Sequence, residues 1–462
     1  MAVNGVVSTI LDALRRQAGY YTWGPIVSLS RNAVLGLLGR IEIGQIIITE
    51  ADGAFTVCGP VKIAKGSDGK PWTELAVMSD HFWVRLALFA DMGFAESCML
   101  GEVKCSDLVA FFQIFILNRN QLSNGTTLSS SVSSAITGLL RSANTLSRSQ
   151  LNVAAHYDIS NEMFAAFLSD DMTYSCPIWL PRTDPKHLDE NLESAQERKL
   201  ERFITNARIK SSDHVLEIGT GWGSFAIAAV KATGCRVTSL TLSIEQKELA
   251  ERRIAAAGYT DRVEVLLCDY RALPMPKSGH YDKVVSIEML EAVGREYLAT
   301  YFECIDRLLK KDGGVAVFQC ITMPETRYEA YSKSTDFIRQ YIFPGGHLPT
   351  VTQLAESINR GSNGTLIIDS VENIGPHYAK TLRLWSQNFS RNFDSRIKPA
   401  LLDEHRGMTN RDVEIFRRKW EYYFAYCEAG FSAKTLGDVI ITVGREGAVE
   451  LLEDVPMVVQ AP

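Results

Sequence analysis

From about residue 190 onward, short apolar runs alternate with longer stretches whose apolar positions recur at helical spacing. The runs predict strands at His214–Ile218, Arg236–Leu240, Val263–Leu267, Tyr281–Ile287 and Gly314–Cys320. The periodic stretches predict helices at Leu192–Ala207, Ser224–Ala232, Ile244–Ala257 and Glu296–Leu309. Strands separated by helices pair in parallel, so the expected fold is a doubly wound α/β sheet with helices on both faces. The earlier pattern differs. Ile41–Thr49 and Phe55–Val61 read as short strands between Gly and Asp punctuation, and Leu108–Leu117 as an apolar helix. Residues 119–150 are rich in Ser, Thr and Asn, a linker composition, with Ile136–Leu140 as one helical turn. The expected organisation is a mixed α/β accessory domain at 1–118, a linker at 119–150, a main domain at 151–445 and a tail at 446–462.

Composition narrows the function classes. A chain of 462 residues with 46% hydrophobic and 22% charged content is ordinary for a globular protein of two or three domains. The net charge of −6 gives no global electrostatic basis for binding nucleic acid, while leaving room for a local basic patch against an anionic membrane. The apolar run Val109–Leu117 is interrupted by Gln113 and falls well short of the ~20 residues of a membrane span. In MAVNGVVSTILDALRR the arginines follow the apolar part, the reverse of a signal peptide, so a cytoplasmic location is expected. The nine cysteines are scattered and form no CxxC pair, which argues against a disulfide framework or a zinc site.

Ligands of doubly wound sheets sit beyond the carboxyl ends of the strands. Directly after the strand ending Glu217-Ile218 comes Gly219-Thr220-Gly221-Trp222-Gly223. Glycines there let the backbone turn sharply and press against a ligand. The G-x-G-x-G spacing departs from the G-x-G-x-x-G of dinucleotide loops, and Glu217 would repel a phosphate while suiting a cation. This favours S-adenosylmethionine (SAM) over a nicotinamide dinucleotide. The next strand tips offer Thr241, Leu242, Ser243 and Gln246, then Asp269 and Tyr270 where an adenine would lie. Ser243 is equally well placed to cap the helix that follows.

These segments, together with others, resemble the cyclopropane-fatty-acyl-phospholipid synthases, a branch of the SAM-dependent methyltransferases. The matching pieces are His156-Tyr157-Asp158, Met172-Thr173-Tyr174-Ser175-Cys176, Leu192-Glu193-Ser194-Ala195-Gln196, LEIGTGWG, TLSIEQ, Tyr341-Ile342-Phe343-Pro344-Gly345-Gly346, Glu372-Asn373-Ile374-Gly375 with His377-Tyr378, and WEYYFAYCEAGF from Trp420. Gly93-Phe94-Ala95-Glu96-Ser97 and Gly101-Glu102 look like the smaller N-terminal domain of longer members, and SIEMLEAVG at 286–294 resembles the plant-like branch. Thr220 stands where the family usually has Cys, and Gln319 and Ala292 where the bacterial enzymes have His; the plant-like branch shares the last two.

The resemblance implies a Rossmann-like class I methyltransferase sheet with helical insertions. It implies transfer of the SAM methyl carbon to the double bond of an unsaturated phospholipid acyl chain, then proton loss to bound bicarbonate and ring closure. Cys176, Glu291, the Ile321 backbone and Tyr378 would cradle the bicarbonate, with Gln319 at the His position. Tyr174, Ser175, Glu217, Gly219, Gly221, Gly223, Thr241, Leu242, Gln246, Asp269 and Tyr270 would line the cofactor. Access to acyl chains implies peripheral membrane association, and the N-terminal domain would serve docking or homodimerisation. An acyl C-methyltransferase leaving a methylene or methyl branch differs only in the route of proton loss. Methylation of a small amine and a silent lipid-binding role fit less well. Phe337, Tyr341, Ile342, Phe343 and Leu348 suit either an acyl tunnel or a helix core.

Overall fold

The computed structural model describes residues 23–60, 69–122, 160–277 and 279–452. His156, Tyr157, Asp158 and nearly all of the expected linker lie outside them. The chain forms two compact units. One joins residues up to Tyr157 with Gly407–Ala429; the other comprises Asp158–Arg406 and the chain from Gly430 onward. The expected main domain at 151–445 is therefore interrupted by a segment that clusters with the N-terminal residues.

The first unit holds a helix over residues 23–38 and four strands: β1 (Gln45–Thr49), β2 (Phe55–Cys58), β3 (Trp72–Val77) and β4 (Val103–Cys105), in the order β2-β1-β3-β4. The helix Leu108–Leu117 forms as its apolar run predicts, opened by Asp107, whose side chain accepts from Ala110 N at 2.9 Å. Aromatic packing explains the displaced segment. Phe94 stacks on Phe111 at 4.0 Å, and Tyr422 meets the Phe112 ring edge-on at 5.2 Å. Within helix His81–Leu100, Arg85 donates to Glu96 at 2.9 Å, and past the helix end to both oxygens of Glu102 at 2.9 and 3.0 Å. Ser97 Oγ adds a bond to Glu102 at 2.9 Å.

The second unit is built on β5 (His214–Ile218), β6 (Arg236–Thr241), β7 (Val263–Leu267), β8 (Lys283–Ile287), β9 (Val315–Thr322), β10 (Ile367–Asn373) and β11 (Gly437–Gly444). Their order is β10-β11-β9-β8-β5-β6-β7. The doubly wound sheet matches the expectation, with ends shifted by a residue or two; Tyr281 makes only an isolated bridge to Leu309, outside β8. Leu216, Val284, Ala316 and Phe318 form its core with Tyr301, Phe302 and Ile305 of helix Leu298–Leu308.

β10 and β11 complete the sheet beyond the expected strands, and β11 runs antiparallel to β9, pairing Asp438 with Ile321 and Ile440 with Gln319. Because β11 is reversed, its first residues lie at the carboxyl ends of the parallel strands, where ligands of such sheets sit. The expected tail begins as structure: Glu450, in the turn Val449–Leu452, pairs with buried Lys283 at 2.5 Å. Among the described residues no helix is long and apolar enough to cross a membrane.

Candidate active site

The expected cofactor residues gather at the tips of the neighbouring strands β5, β6 and β7. Gly219, Gly221 and Gly223 all have positive φ (101°, 53° and 85°), which glycine adopts without strain. A Cβ on Gly221 would meet no atom within 4 Å, so its backbone faces open space; one on Gly223 would touch Ala250 at 3.4 Å, where helix packs on sheet. Thr220 Oγ1 lies 2.6 Å from Ser239 Oγ, and Ser239 in turn donates to Glu217 Oε2 at 2.5 Å. Glu217 thus props the loop from below, and burial pushes its carboxyl up to about 8.

Thr241 Oγ1 donates to Gln246 at 2.9 Å, and Ser243 caps the following helix by accepting from Gln246 N at 3.1 Å. Leu242 is 75% exposed, an apolar ledge at the tip of β6. Asp269 pairs with Arg271, and Tyr270 packs edge-on to Tyr301 at 5.0 Å. Open glycine backbone, an apolar ledge and carboxylates with no phosphate cradle fit SAM.

Helix Leu192–Asn206 ties this end to the second half of the site. Gln196 Nε2 donates to Ser175 O and Lys199 Nζ to Ser175 Oγ, both at 2.7 Å, which fixes Tyr174-Ser175-Cys176. The Tyr174 ring packs 5.1 Å from Trp385 and 6.5 Å from Phe343. Phe337, Tyr341 and Ile342 are buried core, as their helical spacing suggests, whereas Phe343 is exposed. The turn after Phe343 is anchored to the site, because His347 N donates to Glu291 O at 2.9 Å.

The structure brings Cys176, Glu291, Gln319, Ile321 and Tyr378 together around a residue that sequence reasoning missed. Glu288 follows β8 with φ of 47°, a strained value for a residue with a side chain. Its carboxylate accepts from Cys176 N (2.7 Å), Gln319 Nε2 (2.7 Å) and Tyr378 OH (2.8 Å). The Ile321 N–H goes to Glu291 Oε1 at 2.5 Å. The groups expected to hold bicarbonate therefore hold the protein's own carboxylates.

A third acid, Asp438, is fully buried and accepts from the same Gln319 Nε2 at 2.8 Å. Glu291 is accordingly one of three carboxyls in the cluster. Burial holds all three above the usual carboxylate range, Glu291 at about 8, and repulsion from the neighbouring acids adds to it for Glu291 and Asp438. Opposing them is the buried ammonium of Lys199, itself lowered by desolvation. Burial, with Asp438 and Glu288 nearby, pushes the Cys176 thiol well up, so it stays protonated and is no nucleophile. Glu288 was visible as a second acid in SIEMLEAVG; Asp438 and Lys199 carried no local signal.

Comparison with known proteins places the chain in a family. The family model described as mycolic acid cyclopropane synthetase matches residues 144–440. Tuberculostearic acid methyltransferase UfaA1 of Mycobacterium tuberculosis is 44% identical over 297 residues, 64% of this chain and 65% of that protein, so the match spans just under two thirds of that relative. Cyclopropane-fatty-acyl-phospholipid synthase of Escherichia coli K12 is 30% identical over 393 residues, 83% of this chain and 91% of that one. The solved structure of mycolic acid cyclopropane synthase CmaA1 complexed with SAH and CTAB has a TM-score of 0.53 and 28% identity, covering 64% of this chain and 98% of that one. The second unit has the class I SAM-dependent methyltransferase fold.

Proposed function

The chain belongs to the mycolic acid cyclopropane synthetase family of SAM-dependent methyltransferases, and on that premise we propose that it methylates a carbon of the double bond in an unsaturated phospholipid acyl chain, with Glu288 as the proton acceptor. Bound SAM supplies an electrophilic methyl on sulfur. An alkene has no proton to lose before attack, so the early task of the protein is to hold the chain against that methyl away from water. The new bond leaves a cation on the acyl chain, which the half-buried carboxylate of Glu288 stabilises. A hydride then shifts from the methylated carbon to the cationic one, a proton of the new methyl passes to Glu288, and its C–H electron pair forms the methylene double bond; without the hydride shift the same proton loss closes a cyclopropane.

The observation that carries this reading is the ring of donors around Glu288: Cys176 N, Gln319 and Tyr378 hold a carboxylate where a bound anion was expected. Three donors orient the carboxylate and favour its ionised form against the burial that raises it. Gln319 orients it but cannot titrate. A built-in base makes bicarbonate unnecessary, and we assign the product as a methylene-branched chain, in line with the relative named a methyltransferase. The second reading, a cyclopropane formed with bicarbonate, draws on the longer match to the cyclopropane synthase. Docking on the bilayer gives access to the chains, with the first unit as docking or dimerisation module.

The test is turnover on vesicles of monounsaturated anionic phospholipid in carbonate-free buffer, with the product identified by NMR, since a ring and a methylene branch add the same atoms. An undiminished rate and a methylene signal are expected. A rate that collapses without bicarbonate and returns with it, giving a cyclopropane, selects the second reading. No lipid product under either condition removes both.

A further inference from the structure

The reaction above has no direct use for Asp438, a fully buried acid on β11. What Asp438 holds is Gln319. Its register partner on β9 is Ile321, which puts its side chain on the same face of the sheet as Gln319, two residues back on β9. Gln319 Nε2 donates to Glu288 Oε1 at 2.7 Å and to Asp438 Oδ2 at 2.8 Å. An amide nitrogen carries two N–H bonds, and these two contacts use both. A third neighbour of that nitrogen, Cys176 O at 3.4 Å, is also an acceptor. With acceptors on every side, the nitrogen and not the amide oxygen must face this way.

Gln319 also supports the base through its main chain. Glu288 N donates to Gln319 O at 2.9 Å, at the residue whose left-handed backbone is strained. Asp438 is fixed in turn by a third element, since Ile374 N, just before helix Gly375–Asn392, donates to Asp438 O at 2.7 Å. The other end of the amide, Gln319 Oε1, is buried with no partner among the described residues. Nothing bonded to that oxygen sets which way the amide faces; the groups around its nitrogen decide it.

We propose that Asp438 is a positioning residue for the base: it holds one N–H of Gln319, which keeps the other aimed at Glu288. The inference rests on the reading of Glu288 as the proton acceptor. With one N–H anchored on Asp438, the amide cannot swing away or turn over and present Oε1, an acceptor, to the Glu288 carboxylate. Glu288 then keeps its three donors, Cys176 N, Gln319 and Tyr378, and stays aimed at the acyl chain. The task requires an acceptor oxygen at position 438, not a charge.

In Asp438→Ala, assayed on the same vesicles, the freed amide should lower kcat about tenfold, the scale of a small misplacement of a reacting group. KM for SAM and for lipid should not change. Asp438→Asn keeps an acceptor oxygen for Gln319 and should restore most of the rate. Gln319→Met removes the link itself, so adding Asp438→Ala to it should cost nothing further.

If Asp438→Ala does not fold, Gln319→Met combined with Asp438→Leu takes its place, since replacing both partners leaves neither unpaired in the interior. Its kcat should equal that of Gln319→Met alone. An Asp438→Ala rate equal to wild type, an Asp438→Asn rate as low as that of the Ala variant, or a further fall in the Gln319→Met background overturns the proposal. A wild type that makes no lipid product, or a Glu288→Gln variant at full rate, instead defeats the reading of the function beneath it.

Discussion

Two buried charge clusters, one in each unit, follow opposite rules. In the first unit, Arg85 meets Glu96 and Glu102 with 6%, 8% and 13% of their side chains exposed, and its guanidinium fork reaches one carboxylate through two nitrogens. The carboxylates stay compensated and the guanidinium is raised further. In the second unit, Glu288, Glu291 and Asp438 stand against the ammonium of Lys199 with their carboxyls pushed up. Balanced burial holds a fold together. Unbalanced burial stores protons near neutral pH, where a base can use them.

The largest effect should come from taking the charge out of the unbalanced cluster. Glu288→Gln keeps the shape and loses the base, so kcat should fall by about a thousandfold. SAM affinity in a calorimeter and the melting temperature should remain near wild type. A variant retaining a tenth of the rate would move the base elsewhere.

The complementary change acts on stability. Arg85→Met leaves two carboxylates buried without their cation, which costs about 3 kcal/mol or more in folding free energy. Denaturant unfolding should show the first unit melting early, while SAM binding by the second persists. A stability change within about 0.5 kcal/mol would make the ion cluster dispensable.

The smallest effect carries a defined pH dependence. Glu291 titrates at about 8 in the folded protein against 4.5 ordinarily, so the folded state binds the proton more tightly. Its contribution to stability is complete below the ordinary value and is lost as pH rises through about 8. Glu291→Gln should therefore melt a few degrees above wild type in mild alkali and alongside it in acid. The opposite trend would mean that the carboxylate is compensated as Arg85 compensates its partners.

Much of the cofactor end was legible in the chain, because its parts are neighbours in sequence. A strand, three glycines at alternate positions and a helix are encoded by adjacent residues, and positive φ at Gly219, Gly221 and Gly223 is a local property of glycine. The same holds for the expected strands of the second unit, whose ends moved by only a residue or two, and for the Ser243 cap; in the first unit the strand expected from Ile41 starts only at Gln45, and the one expected from Phe55 ends at Cys58. Motif resemblance also found Cys176, Glu291, Gln319, Ile321 and Tyr378, which do converge. It did not say to what those groups would bind.

That was decided by contacts between distant parts of the chain. Glu288 is an ordinary acid in sequence, and its left-handed backbone turns it into the donors of Cys176, Gln319 and Tyr378. Asp438 reaches the cluster because β11 runs against β9 in the one register that sets it opposite Ile321. The protonation state of a carboxyl depends on its distance to other charges and on the water removed around it. Neither quantity is a property of a residue or its sequence neighbours, so the glycine loop could be read from the chain and the raised acid cluster only from the folded sheet.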